Sequence, residues 1–257
     1  MSSNDSIKKT LIVAFSLCIV CSVVVSTAAV MLKPAQEINK TLDRKRNILA
    51  AAGMLEEGRS VEDQFSRVTT RMVDLRTGEF TDDVEPGNYD QRKAAKDPAM
   101  STELSSDQDL AKIARREHYA AVYLVEDAQG EIDKIILPIH GYGLWSTLYG
   151  FIALESDANT VAGIGFYEHG ETPGLGGEVD NPRWKAFWPG KKVYREGDVA
   201  IGLIKGSVDP DSAKADWQID GLAGATLTAR GVTNLVQFWL GENGFEPFLN
   251  NLKSGEA

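Results

Sequence analysis

Tyr119-Ala120-Ala121-Val122-Tyr123-Leu124-Val125 and Ile132-Asp133-Lys134-Ile135-Ile136-Leu137-Pro138-Ile139 are two apolar runs rich in β-branched and aromatic residues. Between them lies Glu126-Asp127-Ala128-Gln129-Gly130-Glu131, a polar stretch with turn chemistry, so the pair reads as a β-hairpin. Leu148–Leu154 and Val161–Tyr167 flank Glu155-Ser156-Asp157-Ala158-Asn159-Thr160 in the same way and predict a second hairpin. Val199–Ile204 reads as a further strand. Hairpins surrounded by a few helices define an α+β fold, with a largely antiparallel sheet flanked by helices.

Beyond the second hairpin, Asn181-Pro182-Arg183-Trp184 opens a helix of about two turns, with Asn181 as cap and Pro182 at its first position. Val232, Leu235, Val236, Trp239 and Leu240 then recur with helical period. Just before that helix comes Asp220-Gly221-Leu222-Ala223-Gly224-Ala225-Thr226-Leu227-Thr228. Gly224 and Ala225 permit a tight turn close to a bulky partner, and Thr226 and Thr228 stand where an N-cap hydroxyl belongs. A helix start of this kind favours a phosphate. An ordinary threonine-capped loop satisfies the same pattern.

Towards the N-terminus, Ser106-Asp107-Gln108-Asp109 is expected to start a short helix to about Arg116, and residues 82–106 are polar and belong at the surface. Met72–Leu75 with Arg76–Phe80 suggests a short hairpin-like piece. Residues 34–56 read as a helical stalk bounded by Gly53 and Gly58. Thr10 to Leu32 is 23 residues without a charge. As a helix it is roughly 34 Å long, enough to cross a bilayer. A cleaved signal peptide competes, with Ser26-Thr27-Ala28 as a small-residue site, but the apolar run continues through Leu32 and favours a retained anchor. Lys8 and Lys9 precede the span, whereas Lys33, Lys40, Arg44, Lys45 and Arg46 follow it. Counted that way, the charge rule places the large domain inside.

The formal net charge is −10, with no Lys/Arg cluster, which argues against a nucleic-acid partner. Cys18 and Cys21 both lie in the apolar segment, so the rest of the chain has neither a disulfide nor a cysteine-held metal. Their C-x-x-C spacing admits a redox or metal role, but thiols in an apolar helix usually behave as small hydrophobes. His118, His140 and His169 are scattered without ligand spacing. No carboxylate pair, triad or metal cluster points to substrate turnover in this chain alone. Two further loops are candidates for binding. Glu171-Thr172-Pro173-Gly174-Leu175-Gly176-Gly177-Glu178 allows close backbone approach to a flat ring, although it lacks the spacing of a dinucleotide or triphosphate loop. Gly141-Tyr142-Gly143-Leu144-Trp145-Ser146-Thr147 offers an indole among glycines, either a stacking surface or plain core.

The stretch Asp220–Thr228 resembles the flavinylation motif of the FMN-binding domain family, in which a flavin transferase joins FMN to a threonine through a phosphoester. The matching residue is Thr226, and Asp220 opens the motif. Ala223 departs from the serine that many relatives carry. The resemblance extends end to end to the C-subunit family of the sodium-translocating NADH:quinone reductase. It runs through Asn4–Thr10, Asn88–Lys96, Gly143–Trp145, Gly170–Glu178 and the motif itself.

That resemblance implies a covalent flavoprotein, with Trp145, Thr172, Gly174, Leu175, Gly176, Gly224, Ala225 and Leu227 around the flavin. Ser146 and Thr228 would meet polar flavin or phosphate atoms, and Lys205 the phosphate charge. It implies electrons passing from an intramembrane iron centre to the next FMN-bearing subunit, coupled to sodium export, within a complex that oxidises NADH and reduces ubiquinone. The partners are the other subunits, the transferase and the membrane. The expected location is the cell inner membrane, single-pass, with the soluble domain on the periplasmic side, against the simple charge count. The alternatives are the FMN subunit of the related ferredoxin:NAD oxidoreductase complex, or a membrane-anchored assembly module without a redox role. The expected division is a tail at 1–9, a transmembrane helix at 10–32, a helical stalk and mixed N-terminal part of the soluble domain at 33–118, and the FMN-binding domain at 119–257.

Overall fold

The structure, a computed structural model, describes residues 6–257; residues 1–5 of the expected tail lie outside the described residues. The chain forms two compact units, residues 1–43 and 44–257. Helix α1, Ile7–Ala51, begins in the first and runs on into the second. An 18-residue window within it has a mean hydropathy of 2.5 with none of it buried, so the helix is long and apolar enough to cross a membrane.

The second unit is built on strands β1 (Val68–Asp74), β2 (Glu79–Thr81), β3 (Ser101–Glu103), β4 (Arg115–Glu117), β5 (Tyr119–Glu126), β6 (Ile132–Tyr142), β7 (Thr147–Glu155) and β8 (Val161–Glu168). Six of them form one antiparallel sheet in the order β2-β1-β5-β6-β7-β8. Both expected hairpins are present, and β6 also pairs with β7 from Lys134↔Glu155 to Tyr142↔Thr147. That pairing makes Gly143–Ser146 the connecting loop, closed by the Gly143 N–H on the Ser146 carbonyl at 2.8 Å.

Short elements complete the unit: helices α2 (Val61–Phe65), α3 (Gln91–Ala94) and α4 (Pro182–Lys185), and strands β9 (Tyr194–Arg195), β10 (Asp198–Val199), β11 (Gly202–Leu203) and β12 (Gln218–Ile219). The C-terminal helices are α5 (Thr226–Trp239) and α6 (Glu246–Ser254).

Both faces of the sheet are covered, which is why its strands read as nearly continuous apolar runs. Ala120, Val122 and Leu124 of β5 and Ile135, Leu137 and Ile139 of β6 pack with Val232, Leu235, Val236 and Trp239 of α5. Burying each large side chain of this group stabilises by about 1.5–3 kcal/mol. On the other face, Tyr123, Ile136, Phe151 and Ala153 meet Ile48, Leu49 and Ala51 from the end of α1. Gly163 makes that approach possible: a Cβ there would lie 2.4 Å from the Ala51 carbonyl oxygen.

Four expectations give way to tertiary detail. The helix from Ser106 to Arg116 is replaced by turns, because Asp109 takes the N–H groups of Ile113 and Ala114 while Lys112 and Ala114 adopt positive φ of 55° and 63°. The strand Val199–Ile204 splits into β10 and β11, since the N–H groups of Ala200 and Ile201 both turn to the Val193 carbonyl and β11 pairs in parallel with β12. The Asn181 cap forms, but α4 is a single turn of 4 residues. A boundary at 118/119 falls inside the second unit, because β1 pairs with β5 from Val68↔Val125 to Asp74↔Tyr119. The stretch Asn88–Lys96 straps the sheet. The Tyr89 hydroxyl donates to the Tyr119 carbonyl at 2.8 Å, and the Arg92 guanidinium lies 3.6 Å from the Tyr149 ring centroid while pairing with Glu168.

Candidate functional site

The residues of interest come from three loops that the sheet brings to one end, joined by a single buried carboxylate. Glu171, only 5% exposed, accepts through Oε1 from the N–H groups of Leu144 and Trp145 at 3.0 Å, with that of Ser146 at 3.4 Å. Its Oε2 accepts from the Thr228 hydroxyl at 2.6 Å. Burial pushes this carboxyl up, but the hydrogen bonds from Thr228, Trp145, Leu144 and Ser146 outweigh it and hold Glu171 below the usual carboxylate range. Glu171 thus ties the β6–β7 loop, its own loop and the first turn of α5 together. A side chain at Gly176 would collide with Thr228 Oγ1 at 2.5 Å and Glu171 Oε2 at 2.7 Å, so glycine is required for that closure. Ser146 closes the corner, its Oγ accepting from the Gly170 N–H at 2.6 Å.

Around this knot the expected flavin residues separate into groups. Trp145, Leu175 and Leu227 present 66%, 44% and 53% of their surfaces to solvent, unusual exposure for large apolar groups on two linked loops and the first turn of α5. Thr172 is also exposed, and its carbonyl accepts from the N–H groups of Leu175 and Gly177 at 3.1 and 2.9 Å, curling the loop. Gly174 has φ of +76°, which supplies the bend. Gly224, with φ of +71°, comes close enough to Leu175 that an added Cβ would lie 3.0 Å from its Cδ2.

A cavity of about 570 Å³ opens at the α5 start, lined by Lys205, Gly206, Gly224, Thr226, Arg230 and Thr233 among others. Trp145, Ser146, Thr172, Gly174, Leu175, Gly176, Leu227 and Thr228 are not in that lining. Thr226 is exposed and is the first residue of α5, not a capping residue: the N-cap is Ala225, buried and without a side-chain bond to the helix. Among the described residues no acceptor takes the N–H groups of Thr226, Leu227 and Thr228. Thr228 departs from expectation. It is fully buried with its hydroxyl proton committed to Glu171, so it faces neither solvent nor the cavity. Asp220 acts through the neighbouring loop: its Oδ1 accepts from the Val208 N–H at 2.8 Å, and its carbonyl from the Trp184 indole at 3.0 Å. Gly221 seals the same junction, donating to the Gly206 carbonyl at 2.8 Å.

The residue set fits a flavin mononucleotide: an exposed hydroxyl, unpaired helix N–H groups and two cations in a cavity of ligand size, next to exposed apolar and aromatic loop residues. Sequence reading missed Glu171, whose partner Thr228 is 57 residues away. It also missed Arg230, although a cation four residues after Thr226 on a helix shares its face.

A profile described as "FMN-binding domain" matches residues 143–241, which contain the three loops and α5. Fold and site together define an FMN-binding domain, preceded by an apolar helix. The C subunit of the Na(+)-translocating NADH-quinone reductase of Pseudomonas aeruginosa is 59% identical, covering 100% of both chains. That of Vibrio vulnificus is 51% identical over 99% of each. The crystal structure of Shewanella oneidensis NqrC superposes with a TM-score of 0.77 at 37% identity, covering 84% of this chain and 99% of that one. The chain belongs to the C-subunit family of the Na(+)-translocating NADH-quinone reductase, and so to an oxidoreductase complex.

Proposed function

We propose that this chain is the electron-carrying FMN subunit of its reductase, with FMN held on Thr226 through a phosphoester made by a flavin transferase. It relays electrons between an intramembrane iron centre and the next FMN-bearing subunit, coupled to sodium export. A single pass of α1 through the inner membrane carries the flavin domain on the periplasmic side. The observation that supports the attachment point is the contrast between two hydroxyls: Thr226 is exposed at the cavity, whereas Thr228 is buried on Glu171.

When bound, FMN supplies the reversible electron carriage. The protein's own residues bind and orient it. Gly224 and buried Ala225 hold the acceptor hydroxyl at a helix corner, accessible to an enzyme from solvent. Asp220 keeps the 204–208 loop against the motif and so shapes the cavity wall. Trp145, Leu175 and Leu227 offer apolar surface for an isoalloxazine while leaving one edge for a partner subunit.

Intact-mass measurement of chains coexpressed with the transferase tests the assignment. Thr226→Val should lose covalent FMN with little change in stability. Thr228→Val should keep the flavin but lose a buried charge-assisted bond. Full loading of Thr226→Val sinks the assignment, and loss confined to Thr228→Val moves the site by two residues.

A further inference from the structure

Arg230 stands one helical turn after Thr226 on α5 and lines the same cavity, with Lys205 on the facing loop. Both are exposed, and among the described residues no salt bridge involves either. No Asp or Glu lines the cavity, in a chain where Asp and Glu number 37 against 27 Lys and Arg. Two cations with no salt-bridge partner among the described residues therefore line the cavity beside Thr226, while the nearby Asp220 carboxylate accepts from the Val208 N–H.

The charge count suits a particular state of the ligand. A phosphate monoester carries about −1.5 to −2 charge near neutral pH. A phosphodiester, such as the attached form, carries about one charge. Two cations therefore match the unattached nucleotide better than the attached one.

We propose that Arg230 and Lys205 form a phosphate-holding site that binds the phosphate of a flavin nucleotide non-covalently in the cavity that Thr226 lines. This rests on the reading of Thr226 as the attachment point. Arg230 is a positioning residue here: its planar fork suits a phosphate's paired oxygens, while Lys205 acts as a point charge. The neighbouring cavity of about 350 Å³, lined by Arg195, Lys214 and Trp217, shares Leu203, Ile204 and Thr233 with this one and provides a cation nearby but outside the site.

The test is a titration of the full, detergent-solubilised Thr226→Val chain with FMN and with riboflavin, which lacks the phosphate, followed by flavin fluorescence. FMN should bind at least roughly tenfold more tightly than riboflavin, and Arg230→Gln and Lys205→Gln should each weaken FMN by roughly tenfold without changing riboflavin. Arg230→Lys should restore part of the loss, and added salt should weaken FMN alone. Arg195→Gln should leave both ligands unchanged. Equal affinity for the two ligands, an Arg195→Gln loss as large as that of Arg230→Gln, or no FMN binding at millimolar concentration would each overturn the proposal. The intact mass of the parent chain coexpressed with transferase reads the attachment point separately. A covalent flavin elsewhere, with the phosphate preference retained, would remove Thr226 and leave the phosphate site standing.

Discussion

Glu171→Gln isolates the charge at the centre of the site. The carboxylate accepts one O–H and backbone N–H groups while almost wholly buried. Glutamine keeps an oxygen for the N–H groups of 144–146, and its amide can donate to Thr228 Oγ1. What is lost is the difference between charged and neutral acceptors, about 1–2 kcal/mol near neutral pH. For a compact unit of about 200 residues that lowers Tm by roughly 2–8 °C. The pH dependence carries the sharper signature. The hydrogen bonds hold the folded pKa below the unfolded value, so the unfolded chain binds the proton first as the solution is acidified. Glu171's contribution is fully present above the unfolded pKa of about 4.3 and is lost as the pH falls through the lower folded value. Thermal unfolding of parent and variant, followed by circular dichroism from pH 7 to pH 3, should show a gap that is constant at the neutral end and closes at the acid end. A gap of the same size throughout, or none at pH 7, would refute the role given to the charge.

Trp145→Ala and Leu175→Ala remove exposed surface and should cost under about 1 kcal/mol of stability. Both should change the fluorescence and midpoint potential of bound flavin while covalent loading survives; spectra and potentials identical to the parent would remove these residues from the flavin surroundings. Deleting residues 1–32 should yield a soluble chain that still folds, read by size-exclusion chromatography and circular dichroism, because the second compact unit begins at Arg44. Reporter fusions at Ala257 should be active on the periplasmic side, and cytoplasmic activity would show that the basic residues after the span set the topology.

Elements whose stabilising contacts are local in the chain can be read from the residues alone. The hairpins around Asp127 and Asp157 are legible because each aspartate accepts N–H groups from residues two to four positions later. Helix α5 is legible from its apolar period, and the span Thr10–Leu32 from its length without charge. The proposed attachment at Thr226 rests on a short motif that carries the family resemblance. Other features follow no sequence pattern, either because a nearby group takes N–H groups that a helix or strand would use or because distant segments meet. Nothing near Ser106 or Val199 announces that Asp109 will take the N–H groups of Ile113 and Ala114, or that Val193 will draw the N–H groups of both Ala200 and Ile201. Two threonines separated by one residue look alike in sequence, yet folding commits the hydroxyl of Thr228 to a carboxylate 57 residues away and leaves that of Thr226 at a cavity. Burial makes the difference: an unpaired hydroxyl inside the protein costs about 1–3 kcal/mol, so Thr228 must find a partner, whereas the exposed hydroxyl of Thr226 can use water.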